Sequence, residues 1–191
     1  FNETFAGRDL RLTETIMSTG YKFKSTAKGS HPMNVQDAAT STEKITSPFL
    51  TGDGNAKNVT GYHIRLGVDT TYVSGDCETG LVMMRYADAL LCYAEAAAEL
   101  GKCDDKVLEK TIKPLRKRAG VDYVAPSKDV NFTDYGYELT PLMQEIRRER
   151  RVELALQGYR LDDLMRWAGA KVVVGKRGRG AYLGEDGILY K

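Results

Sequence analysis

The sequence predicts a mainly α protein, in which helices pair into hairpins of an α-α superhelix, with a loop-rich segment and minor β. Two observations carry this expectation. Apolar residues recur with a 3.6-residue period in two separate stretches after residue 80, and each stretch is followed by a short link and a second helical pattern. A third observation sets the boundaries, because the composition changes at Leu81 from Thr, Ser, Gly and Asn to helix formers, and helical periodicity ends after residue 169. We therefore expect a loop-rich segment over 1–80, two helical hairpins over 81–169 and a C-terminal loop segment over 170–191.

Residues 1–80 contain short extended pieces, such as Tyr21-Lys22-Phe23 and Tyr62-His63-Ile64-Arg65-Leu66, broken by turn signals at His31-Pro32 and Gly52-Asp53-Gly54-Asn55. A weak helical period surrounds Leu10 to Met17. From 81 to 100, Met84, Ala87, Leu91, Ala94 and Ala98 form one stripe broadened by Leu90, and Gly101 supplies a C-terminal stop. A second helix is expected from Asp104 to Ala119, with Asp104 and Asp105 at its positive end and Arg116, Lys117 and Arg118 at its negative end. Pro114 should kink that helix or shift its start. The link between the two is so short that they must run antiparallel.

The pattern then repeats. Thr140 is placed to cap a helix with Pro141 at its first position, Gln144 stands close to a capping-box position, and the helix is expected to run to about Gln157. After Gly158 a shorter helix over Leu161 to Ala168 closes the second hairpin. Small alanines at packing positions make these hairpins tetratricopeptide-like.

Composition narrows the function classes. The 191 residues carry 28 basic and 26 acidic side chains, for a net charge of +2, so no global field draws the chain to nucleic acid or membrane. No apolar run approaches the ~20 residues that span a bilayer. The chain opens at Phe1 without a basic and apolar leader, and we expect a piece of a longer protein whose compartment signals lie elsewhere. Cys77, Cys92 and Cys103 have neither zinc nor disulfide spacing, and Cys92 is expected to be a small buried hydrophobe.

Catalytic sets are absent from the pattern. His31 and His63 sit in separate loops, and no nucleophile elbow, phosphate loop or dinucleotide fingerprint occurs. Asp53-Gly54-Asn55 resembles only the start of a calcium loop. We expect no enzyme, no cofactor and no metal. The stretch from Glu145 to Glu153 places carboxylates at 145, 149 and 153 among four arginines. That spacing suits a salt-bridged structural helix better than a nucleic-acid contact, since three carboxylates would repel phosphate. The basic run Lys171, Lys176, Arg177 and Arg179 reads as a solvated loop. Eight of the eleven tyrosines (21, 62, 72, 123, 135, 137, 182 and 190) lie outside the confident helices. Rings on loops bury area cheaply and stack on sugar faces, although most of these simply pack their loops.

Three segments stand out in order: Met84-Arg85-Tyr86-Ala87-Asp88-Ala89-Leu90-Leu91-Cys92-Tyr93-Ala94-Glu95-Ala96, then Leu115-Arg116-Lys117-Arg118-Ala119-Gly120, then Ile146 through Trp167. Together they resemble the SusD/RagB family of nutrient-capture lipoproteins. The last resembles that family's arginine/glutamate helix, glycine and aspartate-leucine-arginine-tryptophan end. Arg8-Asp9-Leu10-Arg11-Leu12 resembles a further element, with Leu10 where the family has proline. The resemblance covers about residues 8 to 168 and the C-terminal portion of such a protein. It implies a lipoprotein on the cell surface of the outer membrane, held by a lipid anchor outside this fragment. Such a protein binds an oligosaccharide or other nutrient and delivers it to a SusC-like TonB-dependent transporter.

In the resemblance, Arg85, Tyr86, Glu95, Arg147, Glu149, Arg150, Glu153, Gly158, Arg160, Asp163 and Trp167 are structural hallmarks. Arg147, Glu149, Arg150 and Glu153 need partners on neighbouring helices, with Arg85, Glu95, Arg160 and Asp163 as candidates, and Trp167 should pack between hairpins. Tyr21, Tyr62, His63 and Tyr72 are the ligand-binding candidates, chosen by position in the loop-rich segment. The alternative reading is a helical protein-interaction scaffold with no ligand site in this fragment.

Overall fold

The computed structural model describes residues 5–17, 60, 62, 64–67, 80, 82–127 and 132–178. Tyr21, His63, Tyr72, Cys77 and the Asp53-Gly54-Asn55 turn lie outside the described residues. Six α-helices and one 3-10 turn occur among them, so the chain is mainly α as the periodicity predicts. The expected minor β amounts to an isolated antiparallel bridge between Ile16 and Ile64 among the described residues.

Two compact units divide the chain. One comprises Phe1–Arg8, Leu12–Leu81 and Gly178–Lys191, and the other Asp9–Arg11 and Val82–Arg177. In the first, the Thr15 carbonyl accepts from the Arg65 N–H at 2.8 Å, and Arg65 Nη1 donates to the Thr13 carbonyl at 2.8 Å.

The second unit holds five of the six described helices. Asp9–Arg11 enters it at the start of α1 (Leu10–Thr15). Helix α2 (Tyr86–Glu99) buries Ala87, Leu91 and Ala94 against Leu108, Ile112 and Leu115 and against Ile146 and Leu154. It begins five residues later than the period from 81 suggests. Residue 85 is extended because its guanidinium is tied to Gln157 and Glu153, and Met84, expected in the stripe, is 81% exposed. Cys92 is likewise exposed rather than buried, since it lies about 100° around the helix from Leu91, beside Asp88 and Arg150.

Helices α2 and α4 end in the same way. Gly101 N–H donates to the Ala98 carbonyl and Lys102 N–H to that of Ala97, while Gly120 and Val121 repeat the pattern on Lys117 and Arg116. The turn residue needs a left-handed backbone, and both glycines supply it, each at φ 67°.

The segment after Gly101 is two helices rather than one, α3 (Asp105–Lys110) and α4 (Ile112–Arg118). Pro114 explains the break. In a continuous helix its ring would clash with the Lys110 carbonyl, whereas a restart at Ile112 puts it in the first turn, where no N–H is required. Thr111 sits at the joint, fully buried, with its hydroxyl donating to the Val107 carbonyl at 2.7 Å. Asp104 caps α3 by accepting from the Val107 N–H.

Helix α5 (Pro141–Glu153) starts as its sequence predicts, with the Thr140 hydroxyl accepting from Met143 N–H and Pro141 at its first position. Gln144 makes no capping box; its amide donates to the Thr133 carbonyl. The helix ends four residues before Gln157, and Leu156 adopts φ 61° in the turn that leads to Gly158. Helix α6 (Arg160–Arg166) follows. A second, small core joins Tyr135, Leu164 and Trp167, with the Tyr135 and Trp167 rings edge to face at 5.8 Å.

Candidate functional site

Most helices bury an apolar stripe; α5 buries a charged one. Met143 and Ile146 are buried on it, but so are Glu145, Arg147, Glu149, Arg150 and Glu153. Charges removed from water are tolerable only when paired and hydrogen-bonded, so their partners determine what this helix does.

The three glutamates, one helical turn apart, face arginines from other elements. Glu149 is 2% exposed and accepts from Arg11 Nη1 at 2.6 Å and from Arg116 Nε at 2.8 Å. Glu153 accepts from Arg11 Nη1 at 2.9 Å, Arg85 Nη2 at 2.9 Å and Arg118 Nη2 at 2.5 Å. Glu145 accepts from Arg116 Nη2 and from Arg148 on its own helix. Asp9 clamps Arg11 from behind through Nε and Nη2. The extended segment before α2, the start of α1 and the end of α4 are thereby fixed to α5.

Around the helix the polarity reverses. Arg150, 4% exposed, donates through Nε to both Asp163 oxygens at 2.8 and 2.9 Å, and through Nη1 to Asp88 at 2.5 Å. Glu95 of α2 is gripped by both terminal nitrogens of Arg166 at 2.9 and 2.6 Å and by the Trp167 indole N–H. Arg147 lies over the Trp167 ring at 4.6 Å and donates to the Tyr137 hydroxyl at 2.6 Å, with its Nε 3.9 Å from Glu95. Trp167 therefore has one guanidinium from α5 and another, Arg166 at 4.7 Å, near its ring.

Titration follows from this geometry. Burial alone would push the Glu153 carboxyl up, but hydrogen bonds from Arg118 and Arg11 and the charge of Arg85 hold it below its ordinary 4.5. The same competition, with Arg11 as the partner, lowers Asp9. A carboxyl lowered by folding binds protons more readily in the unfolded chain. Its stabilisation is therefore complete above 4.5 and disappears as pH falls through the lower, folded value. Urea midpoints taken from about pH 7 to about pH 3 should fall steeply below that point, and Glu153→Gln should flatten the dependence. An unchanged slope in that variant would refute the assignment.

The sequence-predicted residues fall unevenly. Arg85 reaches Glu153 and Asp163 reaches Arg150, while Glu95 meets mainly Arg166 and Trp167. Arg160 stands 5.8 Å from the Trp167 ring, and its buried Nη1 has no hydrogen-bond partner among the described residues. Tyr86 is exposed on the first turn of α2, outside this lattice of buried ion pairs around α5, and Gly158 occupies a turn at φ 88°. Of the ligand candidates, Tyr62 alone is described, half-buried, with its N–H donating to the Thr60 hydroxyl. Sequence reasoning assigned no such role to Arg11, Arg116, Arg118, Arg166 or Asp88. A signal existed in the count of buried-helix carboxylates, which need more cations than Arg85 and Arg160 supply.

A family model described as "SusD family" matches residues 1–182. The chain is 35% identical over 99 residues to the SusD-like protein P38 of Formosa agariphila, a match covering 51% of this chain and 19% of that protein. The chain thus spans about a fifth of that relative's length (19%). No solved structure matches. With nearly all of its residues inside the family model, this chain belongs to the SusD family.

Proposed function

We propose that this protein captures a glycan or other nutrient at the cell surface and delivers it to a SusC-like TonB-dependent transporter in the outer membrane. Attachment is through a lipid anchor outside these residues, and no reaction is catalysed. The family match over residues 1–182 carries this reading. Among the described residues no helix is long and apolar enough to cross a membrane.

The lattice contributes the scaffold in this reading. Its carboxylates already accept from protein guanidinium groups, and a carboxylate so occupied is poorly placed to abstract a proton or coordinate cargo. Arg147 and Arg150 are buried, so the arginine helix presents no continuous cationic face to a phosphate backbone. Cargo binding falls to side chains on loops, with Tyr21, Tyr62, His63 and Tyr72 as the sequence-derived candidates.

The test is calorimetric titration of the intact protein against oligosaccharides and peptides. Saturable binding with the ligand recovered unchanged is expected. Turnover of any of them, or no affinity for any, would overturn the reading. One observation favours the interaction scaffold as a second reading, since α2 and the Leu100 that caps it turn Tyr86, Tyr93 and Leu100 to solvent, away from the core contacts of the helix. That reading predicts transporter capture by a protein that binds no saccharide or peptide.

A further inference from the structure

Beside the lattice, the link that follows α4 runs past the start of α5 and leaves an open groove of about 520 Å³. This volume falls within the range of small-molecule sites, about 300–1,000 Å³. Half-buried Phe132 lines one part, and the short apolar run Val124, Ala125 and Pro126 another. The polar lining consists of Arg116, Arg148, Asp122, Glu145 and the uncharged Ser127.

Two features distinguish this groove from an ordinary surface depression. Most of its polar wall is built in advance, because Glu145 is 4% exposed and held by both Arg116 and Arg148, and Arg116 is fixed in turn on Glu149, while Asp122 stands exposed. Planar groups locked in place before a ligand arrives lose little freedom on binding. The wall is also neutral, with two guanidinium groups set against two carboxylates. A phosphate, sulfate or uronate would gain no net field here, while vicinal hydroxyls can donate to the exposed Asp122 carboxylate and accept from the Arg148 guanidinium, Glu145 serving to hold that guanidinium in place.

An aromatic face beside paired planar polar groups is the chemistry that recognises a pyranose ring, whose C–H face stacks on the ring while its hydroxyls fork onto the planar groups. We propose that this groove, with Phe132 as platform and Asp122 and Arg148 as its polar contacts, is a binding site for a neutral oligosaccharide. It rests on the nutrient-binding reading above and adds to it a location and a ligand class.

The experiment titrates the intact protein with maltose-, mannose-, xylose- and glucose-type oligosaccharides, with oligogalacturonate as the anionic comparison. Phe132→Ala, Asp122→Ala and, as a control away from the groove, Tyr93→Ala are measured in parallel, each checked by its melting curve. A neutral sugar should bind, both groove variants should weaken it about tenfold or more, and the control should leave it unchanged. Equal affinity in the folded groove variants would overturn the site and leave nutrient binding standing. Preference for oligogalacturonate, or binding of peptides alone, would overturn the ligand class. Absence of any binding would remove both this proposal and the reading beneath it.

Discussion

Glu149→Ala in the intact protein is expected to lower the unfolding free energy by about 3–5 kcal/mol, the usual cost of removing one partner from a buried ion pair. The size follows from what is left behind. Arg11 and Arg116 both donate to this carboxylate, and Arg116 is itself buried, so the truncation strands cationic donors away from water. A domain stable by about 5–15 kcal/mol has little margin for that loss. Urea denaturation is the measurement, with Arg151→Ala on the exposed side of the same helix as the comparison, expected to change stability by about 0.5 kcal/mol or less. A Glu149 variant as stable as that comparison would show the carboxylate to be dispensable.

Trp167→Ala carries the second large effect, about 3–5 kcal/mol. The indole is 3% exposed, packs edge to face on Tyr135, lies beneath Arg147 and Arg166, and donates to Glu95. Trp167→Phe separates these contributions, since it retains a ring but removes the N–H, leaving the loss of one charge-assisted hydrogen bond, about 1–3 kcal/mol. Thermal melts of the two variants should therefore be ordered wild type, Phe, Ala. A Phe variant as damaged as Ala would place the whole effect in the hydrogen bond, and an Ala variant melting like wild type would remove Trp167 from the core.

Helices were legible in the sequence where burial is apolar and local. Ala87, Leu91 and Ala94 recur at helical spacing because one face of α2 meets the core, and Thr140-Pro141 announces the start of α5 by satisfying its first N–H groups. Helix ends were less legible, because tertiary contacts set them. The Arg85 side chain is held on Glu153, 68 residues away, and the chain around it stays extended. Cys92 shows the same limit, since its type says buried while its angular position beside Asp88 says otherwise.

The charged face of α5 was visible as a pattern but not as a set of pairs. Spacing of three or four along a helix suggests partners on that helix, and Glu145 with Arg148, three residues on, is such a pair. Glu149 instead finds Arg116 33 residues away and Arg11 138 residues away, distances at which no local spacing carries information. The groove near Phe132 was not legible at all, because Asp122, Phe132 and Arg148 come together only once the link has folded past α5.

A double-mutant cycle on Arg150 and Asp163, read by urea denaturation of the intact protein, tests most directly whether these charges join the helices. The pair meets through two hydrogen bonds at 2.8 and 2.9 Å, both side chains are buried, and neither residue lines the groove. Arg150→Met and Asp163→Asn should each destabilise, and the double variant should lose less than the two losses added, with a coupling of about 1 kcal/mol or more. Losses that add to within about 0.5 kcal/mol would mean the two residues do not hold one another, and the account of α5 as the element that fastens its neighbours would fail.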